Sequence, residues 1–153
     1  MRLVIQRVNS SSVSVATSII GQIDKGLCVL IGIGDGDTSK EIEWAKDQIL
    51  KTKFWENENG KPWNKTVKDL NYKILLISQF TLYGKMYKKG KLDFHHAMSP
   101  APALELYNEM ITTITNDIGV ANVQSGEFGA MMEVSSVSKM YESYCCNKIL
   151  YSV

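Results

Sequence analysis

Two short runs of the chain are apolar at nearly every position, so neither has the alternation of a strand with one face in water. Residues 26–33 form the first run and residues 73–82 form the second. Such runs are typical of central strands that are covered on both faces. Polar residues interrupt the second run near its far end, and buried polar groups need hydrogen-bond partners. The two runs therefore predict the interior of a packed sheet.

The start of the chain shows partial alternation of β-branched and polar residues. Val4 and Val8 lie in one segment, Val13 and Val15 lie in the next, and the cluster at 9–12 separates them. Asn and Ser turn the backbone easily, because their side chains hydrogen-bond to nearby main-chain groups. The pattern predicts an opening hairpin with strands over 2–8 and 13–16.

A glycine-rich turn and a helix follow the first apolar run. The turn at 34–37 has neither a dinucleotide-binding fingerprint nor a Walker lysine, which favours a plain turn over a phosphate-binding loop. Thr38 and Glu41 have the spacing of a capping box. A helix over about 39–53 is predicted. Its apolar positions at helical spacing are Ile42, Ala45 and Ile49.

The rest of the chain adds a loop and a second helix. Residues 54–72 predict a hairpin or an ordered loop with Trp55 and Trp63 packed beneath it. Ser99 and Pro100 begin a helix that Gly119 ends. Its expected buried stripe is Leu104, Tyr107, Ile111 and Ile114. The order β-β-β-α-(β)-β-α-β, with neither repeat nor linker, indicates an α/β fold in one domain over 1–153.

Composition agrees with a globular chain and excludes several classes of protein. The 153 residues are 44% apolar and 22% charged, which is typical of a folded domain. Three cysteines without a C-x-x-C pair indicate neither a disulfide framework nor a zinc site, so an intracellular, cytoplasmic protein is expected. No run approaches the roughly 18 apolar residues of a membrane span. The net charge of +1 requires any nucleic-acid site to be a local patch.

The candidate catalytic groups lie at the end of the second apolar run. Ser78 and Thr81 offer hydroxyls where open α/β sheets place ligands. A serine nucleophile needs a neighbouring base, and the imidazoles of His95 and His96 are the ones available. A Ser-His mechanism and purely structural hydroxyls therefore both remain open. Asp93 and the two histidines lack a fourth donor at a suitable spacing, so no metal is expected.

Four lysines form the strongest charge cluster of the sequence. Tyr83 and Tyr87 are interleaved with them, and glycines lie at 84 and 90. A lysine-rich loop with aromatic residues suits contacts with phosphates, although a merely solvated loop has the same composition. The lysines of this candidate tRNA-binding set are Lys85, Lys88, Lys89 and Lys91.

Four segments, taken in order, resemble one known family. They are Gln6-Arg7-Val8, Ser78-Gln79-Phe80-Thr81-Leu82, and the segments at 91–98 and 126–132. Together they resemble the D-aminoacyl-tRNA deacylases, which hydrolyse the ester between tRNA and a D-amino acid or glycine and so proofread chirality in translation. The resemblance covers residues 1 to about 137. It implies a three-layer β/β/α fold with mixed sheets and two main helices, a homodimer, and a site without metal or cofactor at the subunit interface.

The resemblance also implies a role for each candidate residue. The catalytic set Ser78, Gln79, Phe80 and Thr81 would form the wall of the aminoacyl pocket, with Thr81 as a positioning group. Main-chain amides near Phe80 and Thr81 would stabilise the oxyanion, and the terminal adenosine's 2′-hydroxyl would assist. Arg7 would brace the loop that enforces chirality, and the lysines would approach the acceptor stem. The residues expected to line the substrate pocket are Ala97, Phe128 and Met132.

The end of the chain departs from this family. The family's Asn-x-Gly-Pro-x-Thr signature should fall at 138–143, where Met140 and Tyr141 stand in place of Gly and Pro. A cis peptide without proline costs about 3 kcal/mol, so this pair is not expected to reproduce the Gly-Pro geometry. The divergent tail at 138–153 is expected to lack the family's final strand and suggests an alternative, mis-spliced or frame-shifted end. An impaired or non-catalytic tRNA-binding isoform is therefore the alternative function, and a generic α/β binding module is a third.

Overall fold

The computed structural model of the protein describes residues 1–138 and the backbone of residues 143–147. Two α-helices are present in this part of the chain, α1 (Ser39–Lys51) and α2 (Pro100–Ile118). The strands are β1 (Arg2–Val8), β2 (Ser10–Val15), β3 (Ser18–Ile23), β4 (Gly26–Gly32), β5 (Lys73–Ser78), β6 (Lys85–Met86), β7 (Leu92–Asp93), β8 (Val123–Ser125), β9 (Met132–Val137) and β10 (Ser143–Asn147).

The strands form three sheets of unequal size. The main sheet has the order β10-β1-β4-β5-β8, in which β4, β5 and β8 are parallel and β1 is antiparallel to both of its neighbours. A second sheet has the antiparallel order β3-β2-β9. The third sheet is the short hairpin of β6 and β7. The fold is therefore α/β with mixed sheets, as predicted.

Both faces of the main sheet are covered, and this explains the two apolar runs. On one face, residues such as Leu27 and Leu76 join the core formed with α1 and α2. On the other face, Cys28, Leu75 and Ile77 pack against Val13 and Ile23 of the smaller sheet. Successive residues of a strand point to opposite faces, so a strand between two cores must be apolar throughout. The resulting layers are the small sheet, the main sheet and the helices.

The predicted opening hairpin is wrong, because β1 and β2 belong to different sheets. β1 pairs with β4 and β10, whereas β2 pairs with β3 and β9. The serine cluster that predicted a turn instead forms half of β2. Ser11 is buried, and its hydroxyl lies 2.7 Å from Ser136 Oγ and 3.1 Å from the carbonyl oxygen of Ser135. These cross-strand partners on β9 are remote in sequence, so local turn propensity did not decide the structure.

Helix α1 begins as the sequence predicted. Thr38 Oγ1 accepts a hydrogen bond from the amide of Lys40 at 3.3 Å, and Glu41 Oε2 accepts one from the amide of Thr38 at 2.8 Å. These reciprocal bonds satisfy amides that have no acceptor within the helix. The predicted apolar positions, Ile42, Ala45 and Ile49, are all buried.

Helix α2 also has its predicted ends, but part of its buried stripe differs. It begins at Pro100 and ends before Gly119, whose φ of 89° suits glycine. Leu104 is 41% exposed, so its predicted burial is wrong. The face against the main sheet is rotated relative to the predicted stripe. The buried residues of the helix are Ala103, Tyr107, Met110 and Ile114.

The segment between α1 and β5 is an ordered loop with one packed tryptophan. Trp55 is buried and makes edge contacts with Phe54 and Tyr72, at ring-centroid distances of 6.0 and 5.3 Å. Trp63 is 61% exposed, so the prediction that both tryptophans are packed is wrong for Trp63. A bridge between Trp55 and Lys65 closes the loop beside it. Trp63 lies within the loop that this bridge closes.

The expectation that the tail lacks a final strand is also wrong. β10 pairs antiparallel with β1, from Arg2 opposite Asn147 to Gln6 opposite Ser143. Strand pairing uses the backbone N–H and C=O groups, so the side of β1 that faces away from β4 accepts a partner of divergent sequence. Met140 and Tyr141 lie outside the described residues.

Candidate active site

A cavity of about 770 Å³ lies where β4 and β5 end, beside the first turn of α2. The carboxyl ends of parallel strands are the usual ligand site of α/β sheets. Four segments line the cavity. They are the end of β4, the end of β5 with the following turn, the start of α2 with its preceding loop, and the loop into β9 with the start of that strand. The residues are Ile31, Ile33, Ile77, Ser78, Gln79, Phe80, Thr81, Phe94, Ala97, Met98, Ser99, Pro100, Ala103, Phe128, Gly129, Ala130, Met131, Met132 and Val134.

The predicted catalytic set lies together on one wall of this cavity. β5 ends at Ser78, and the chain turns into a 3-10 helix over Phe80–Tyr83, so the second apolar run does not remain a strand to its end. The amide of Gln79 donates to the carbonyl oxygen of Ile31 at 2.7 Å, and Gln79 Nε2 donates to Thr81 Oγ1 at 2.6 Å. The Thr81 hydroxyl is thereby held in place by its neighbour.

The amides at the start of this turn have no acceptor within the turn itself. The first N–H groups of a helical turn have no acceptor within that turn, and here they belong to Phe80 and Thr81. The Phe80 side chain is 58% exposed and makes an edge contact with Phe94 at 5.2 Å. The two rings form one rim of the cavity. Ala97, another predicted pocket residue, lies on the same loop as Phe94.

The opposite wall is the loop that leads into β9, and Tyr107 of α2 supports it. The amide of Gly126 and the hydroxyl of Tyr107 both donate to the carbonyl oxygen of Leu76, each at 2.9 Å. The Tyr107 ring packs against Phe128 at 5.7 Å, and burial raises the pKa of the tyrosine. Sequence analysis identified Tyr107 only as a core residue, because its distant carbonyl partner leaves no local pattern.

The cavity is uncharged. None of its lining residues in the described part of the chain carries an ionisable side chain, and its polar side chains are hydroxyls and one amide. The histidines do not line it: His95 contacts Asp93, and desolvation, followed by the charge of His95, lowers the pKa of His96. The described residues hold no group of three or more metal-ligating side chains. The structure thus does not join Ser78 to an imidazole.

Arg7 lies away from the cavity. Its Nη1 donates to the carbonyl oxygen of Phe54 at 2.9 Å and to Glu56 Oε2 at 3.2 Å. Its guanidinium also lies 5.6 Å from the ring centroid of Trp55. Arg7 therefore braces the loop after α1 in this structure.

The four lysines lie on the hairpin of β6 and β7. All four are exposed, and the 3-10 turn at Lys88–Gly90 connects the two strands. The hairpin follows the Phe80–Tyr83 turn and ends just before Phe94. It therefore lies between two segments that line the cavity, although no lysine lines the cavity itself.

Fold and site together define an α/β protein with a largely apolar cavity, walled by main-chain turns, at the edge of a mixed sheet. The family model described as "D-Tyr-tRNA(Tyr) deacylase" matches residues 4–139. The D-aminoacyl-tRNA deacylase of Schizosaccharomyces pombe is 40% identical over 138 residues, which cover 90% of this chain and 92% of that protein. The enzyme of Clostridium tetani is 47% identical over 135 residues, covering 88% and 89% of the two chains. The chain belongs to the D-aminoacyl-tRNA deacylase family.

Solved structures agree with this assignment. The chain is similar to the "c-Myc DNA Unwinding Element Binding Protein", with a TM-score of 0.91, 37% identity and coverage of 97% and 99% of the two chains. A probable eukaryotic D-amino acid tRNA deacylase gives a TM-score of 0.79 at 16% identity, covering 95% and 97%, and supports the fold alone. Neither α1 nor α2, the α-helices of the described residues, has the length and apolarity to cross a membrane.

Proposed function

We propose that the chain hydrolyses the ester bond of D-aminoacyl-tRNA and releases the free amino acid and tRNA. The observation that carries this proposal is the turn at Ser78–Thr81. In a chain of this family, the turn lines a cavity with two main-chain amides that have no acceptor within their own turn. Gly-tRNA is the second expected substrate. The absence of ionisable groups among the lining residues suits a small aminoacyl group that is recognised by shape.

The chemistry follows from fixed dipoles. Water adds to the ester carbonyl carbon, and the amides of Phe80 and Thr81 donate hydrogen bonds to the oxyanion that forms. The carbon–oxygen bond to the terminal ribose then breaks, and the ribose oxygen receives a proton, with the neighbouring 2′-hydroxyl assisting. Thr81 acts as a positioning group, since Gln79 Nε2 donates to its hydroxyl oxygen. Ala97, Phe128 and Met132 confine the aminoacyl group and the adenosine.

A second copy of the chain is proposed to complete the site. Large apolar side chains are exposed around the cavity: Met131 is 93% exposed, Phe80 is 58% exposed and Val134 is 44% exposed. Contiguous exposed apolar residues beside a ligand cavity are typical of a covered interface. We therefore expect a homodimer in the cytoplasm, with Lys85, Lys88, Lys89 and Lys91 free to contact the tRNA.

The alternative is an impaired or non-catalytic tRNA-binding isoform. The observation that favours it is Met140-Tyr141, which stands where the family has Gly-Pro. Bulky side chains at these positions would not exclude L-amino acids in the same way. That Arg7 braces the loop that enforces chirality stays a proposal; the contacts described above are with Phe54 and Glu56 in the loop after α1.

The proposed function is tested by hydrolysis of D-Tyr-tRNA, Gly-tRNA and L-Tyr-tRNA. The purified chain is compared with the double variant Met140→Gly/Tyr141→Pro and with Trp63→Ser, an exposed residue outside the cavity. We expect the chain and Trp63→Ser to release the D-amino acid and glycine, and L-Tyr-tRNA measures whether L-amino acids are excluded without Gly-Pro. If the unaltered chain releases L-tyrosine and the double variant does not, the Gly-Pro pair is responsible for excluding L-amino acids. No hydrolysis by any of the three proteins would favour the binding-only alternative.

A further inference from the structure

A hairpin with exposed apolar residues and clustered positive charge projects beside the candidate active site. It comprises residues 85–93, and we call it the basic hairpin. It carries four lysines and one acidic residue, Asp93, whose carboxylate contacts His95. The whole chain has a net charge of only +1, so this is a local concentration of positive charge. Such a patch attracts a polyanion.

The basic hairpin also exposes three large apolar side chains. Met86 is 78% exposed, Leu92 is 60% exposed and Tyr87 is 57% exposed. Met86 and Leu92 are opposite each other in the ladder, so their side chains share one face of the hairpin. These side chains are neither buried nor part of either core cluster. Their exposure needs a binding partner to explain it.

The backbone around Tyr87 is held in place. Its amide donates to the carbonyl oxygen of Lys91 at 2.8 Å, and its carbonyl oxygen accepts from the amide of Gly90 at 3.2 Å. Lys89 and Gly90 have φ values of 65° and 74°, and this backbone conformation closes the turn between Tyr87 and Lys91. The exposed phenol ring of Tyr87 is therefore attached to a backbone that is already ordered, so little further ordering is needed when a ligand binds.

The basic hairpin begins and ends at the rim of the cavity. The amide of Gly84, just before the hairpin, donates to the carbonyl oxygen of Thr81 at 2.9 Å. Phe94, just after the hairpin, lines the cavity and contacts the Phe80 ring at 5.2 Å. A polymer whose last unit enters the cavity can therefore reach the hairpin.

We propose that the basic hairpin is a stacking platform for an unpaired nucleotide near the 3′ end of the RNA substrate. Tyr87 stacks on the base, and the lysines contact the flanking phosphates. Bases in a duplex hide their faces, whereas those of a single strand expose them to aromatic side chains. Lysines beside an exposed ring match this ligand better than an apolar protein surface, which would leave their charges unpaired.

The inference rests on the proposed function for the identity of the RNA, but its test does not require hydrolysis. The probe is a single-stranded RNA tetranucleotide without an esterified amino acid. It carries 2-aminopurine, whose fluorescence is quenched by stacking. We expect the chain to quench the probe. Tyr87→Ser weakens binding about tenfold and abolishes the quenching, which corresponds to the loss of one stacked base. Tyr87→Phe retains both, because the ring remains.

Two controls separate stacking from charge. Trp63→Ser removes an aromatic residue with 61% exposure elsewhere and is expected to bind the probe like the unaltered chain. Lys88→Gln/Lys89→Gln is expected to weaken binding of the probe and of an abasic analogue alike and to flatten the salt dependence. Tyr87→Ser is expected to leave binding of the abasic analogue unchanged.

The inference is overturned if the unaltered chain does not bind the probe, or if Tyr87→Ser binds and quenches it normally. It is also overturned if Tyr87→Ser changes only the oligomeric state, which would make the hairpin an interface between copies. Hydrolysis of D-Tyr-tRNA is measured separately. Normal probe binding without hydrolysis would refute the proposed function and support the stacking platform. Hydrolysis that is insensitive to Tyr87→Ser, with no probe binding, would support the proposed function and refute the stacking platform.

Discussion

Tyr83 is a half-buried phenol at the end of the 3-10 turn that follows the candidate catalytic residues. The Arg2 guanidinium lies 4.4 Å from its ring centroid, and Arg2 Nη1 donates to the carbonyl oxygen of Leu82 at 2.6 Å. Desolvation, followed by the negative charge of Asp37, raises the pKa of Tyr83 from 10.0 to about 12. The phenol is therefore neutral in the folded chain well into alkaline solution.

The free energy of unfolding is expected to depend on this phenol at high pH. Below pH 10 Tyr83 is neutral in both states and contributes no pH dependence. From pH 10 to about 12 the unfolded chain loses the proton first, so the free energy of unfolding falls as the pH rises. Tyr83→Phe should make this fall less steep, as measured by urea titrations across that range. Equal slopes in the two proteins would contradict the assignment.

At the scale of secondary-structure elements, one side chain joins α2 to two walls of the cavity. Tyr107 donates to the carbonyl oxygen of Leu76 on β5, and its ring packs on Phe128 in the loop before β9. The Gly126 amide shares the same acceptor. Strand, loop and helix are thus connected at one carbonyl group.

Tyr107→Phe is expected to lower the free energy of unfolding by about 1 kcal/mol, because it removes one buried hydrogen bond and keeps the ring. Leu76 still accepts from Gly126, which limits the cost. Urea denaturation at neutral pH measures the change, and faster hydrogen exchange of the Gly126 amide would report loosening of the loop. Thr112→Val is the control, since Thr112 lies on the same helix and its exposed hydroxyl donates to the carbonyl oxygen of Asn108 of that helix. A loss no greater than in that control would show that the bond contributes little.

Elements also differ in how far their own residues predict them. Helix α1 followed directly from the sequence, because Thr38 and Glu41 cap it through bonds to residues within one turn. Leu104, in contrast, fits the helical spacing of α2 and yet is exposed. The direction in which a helix packs against a sheet depends on the complementary surface, which periodicity alone does not contain.

At the scale of the whole molecule, the exposed apolar residues next to the cavity are the proposed contact with a second copy. β3 and β9 are opposite edges of the small sheet, so each offers a place for a matched substitution. Val134 lies on β9 beside the cavity, and Ile19 lies on β3 with 62% exposure.

Met131→Lys/Val134→Lys is expected to convert the dimer into a monomer, because it places charge in an interface that is otherwise apolar. Light scattering coupled to size-exclusion chromatography measures the mass. Ile19→Lys adds charge at the opposite edge and should leave the dimer intact. A monomeric unaltered chain, or a dimer that survives the double substitution, would refute this interface.

The residues alone predicted the central strands, the start of α1, both ends of α2 and the α/β class, and their motifs identified the family. These features depend on the capping box of α1, on Pro100 and Gly119 at the ends of α2, where Ser99 makes no side-chain capping bond, and on burial that is visible in the residues themselves, as the apolar runs of β4 and β5 show. The folded chain was needed to show that β1 and β2 belong to different sheets, that Ser11 is buried between strands, and that β10 completes the main sheet. It also placed Tyr107 behind the cavity and Trp63 in solvent. Local preference does not specify these features, because packing of the whole chain selects strand partners and hydrogen-bond acceptors that are distant in sequence.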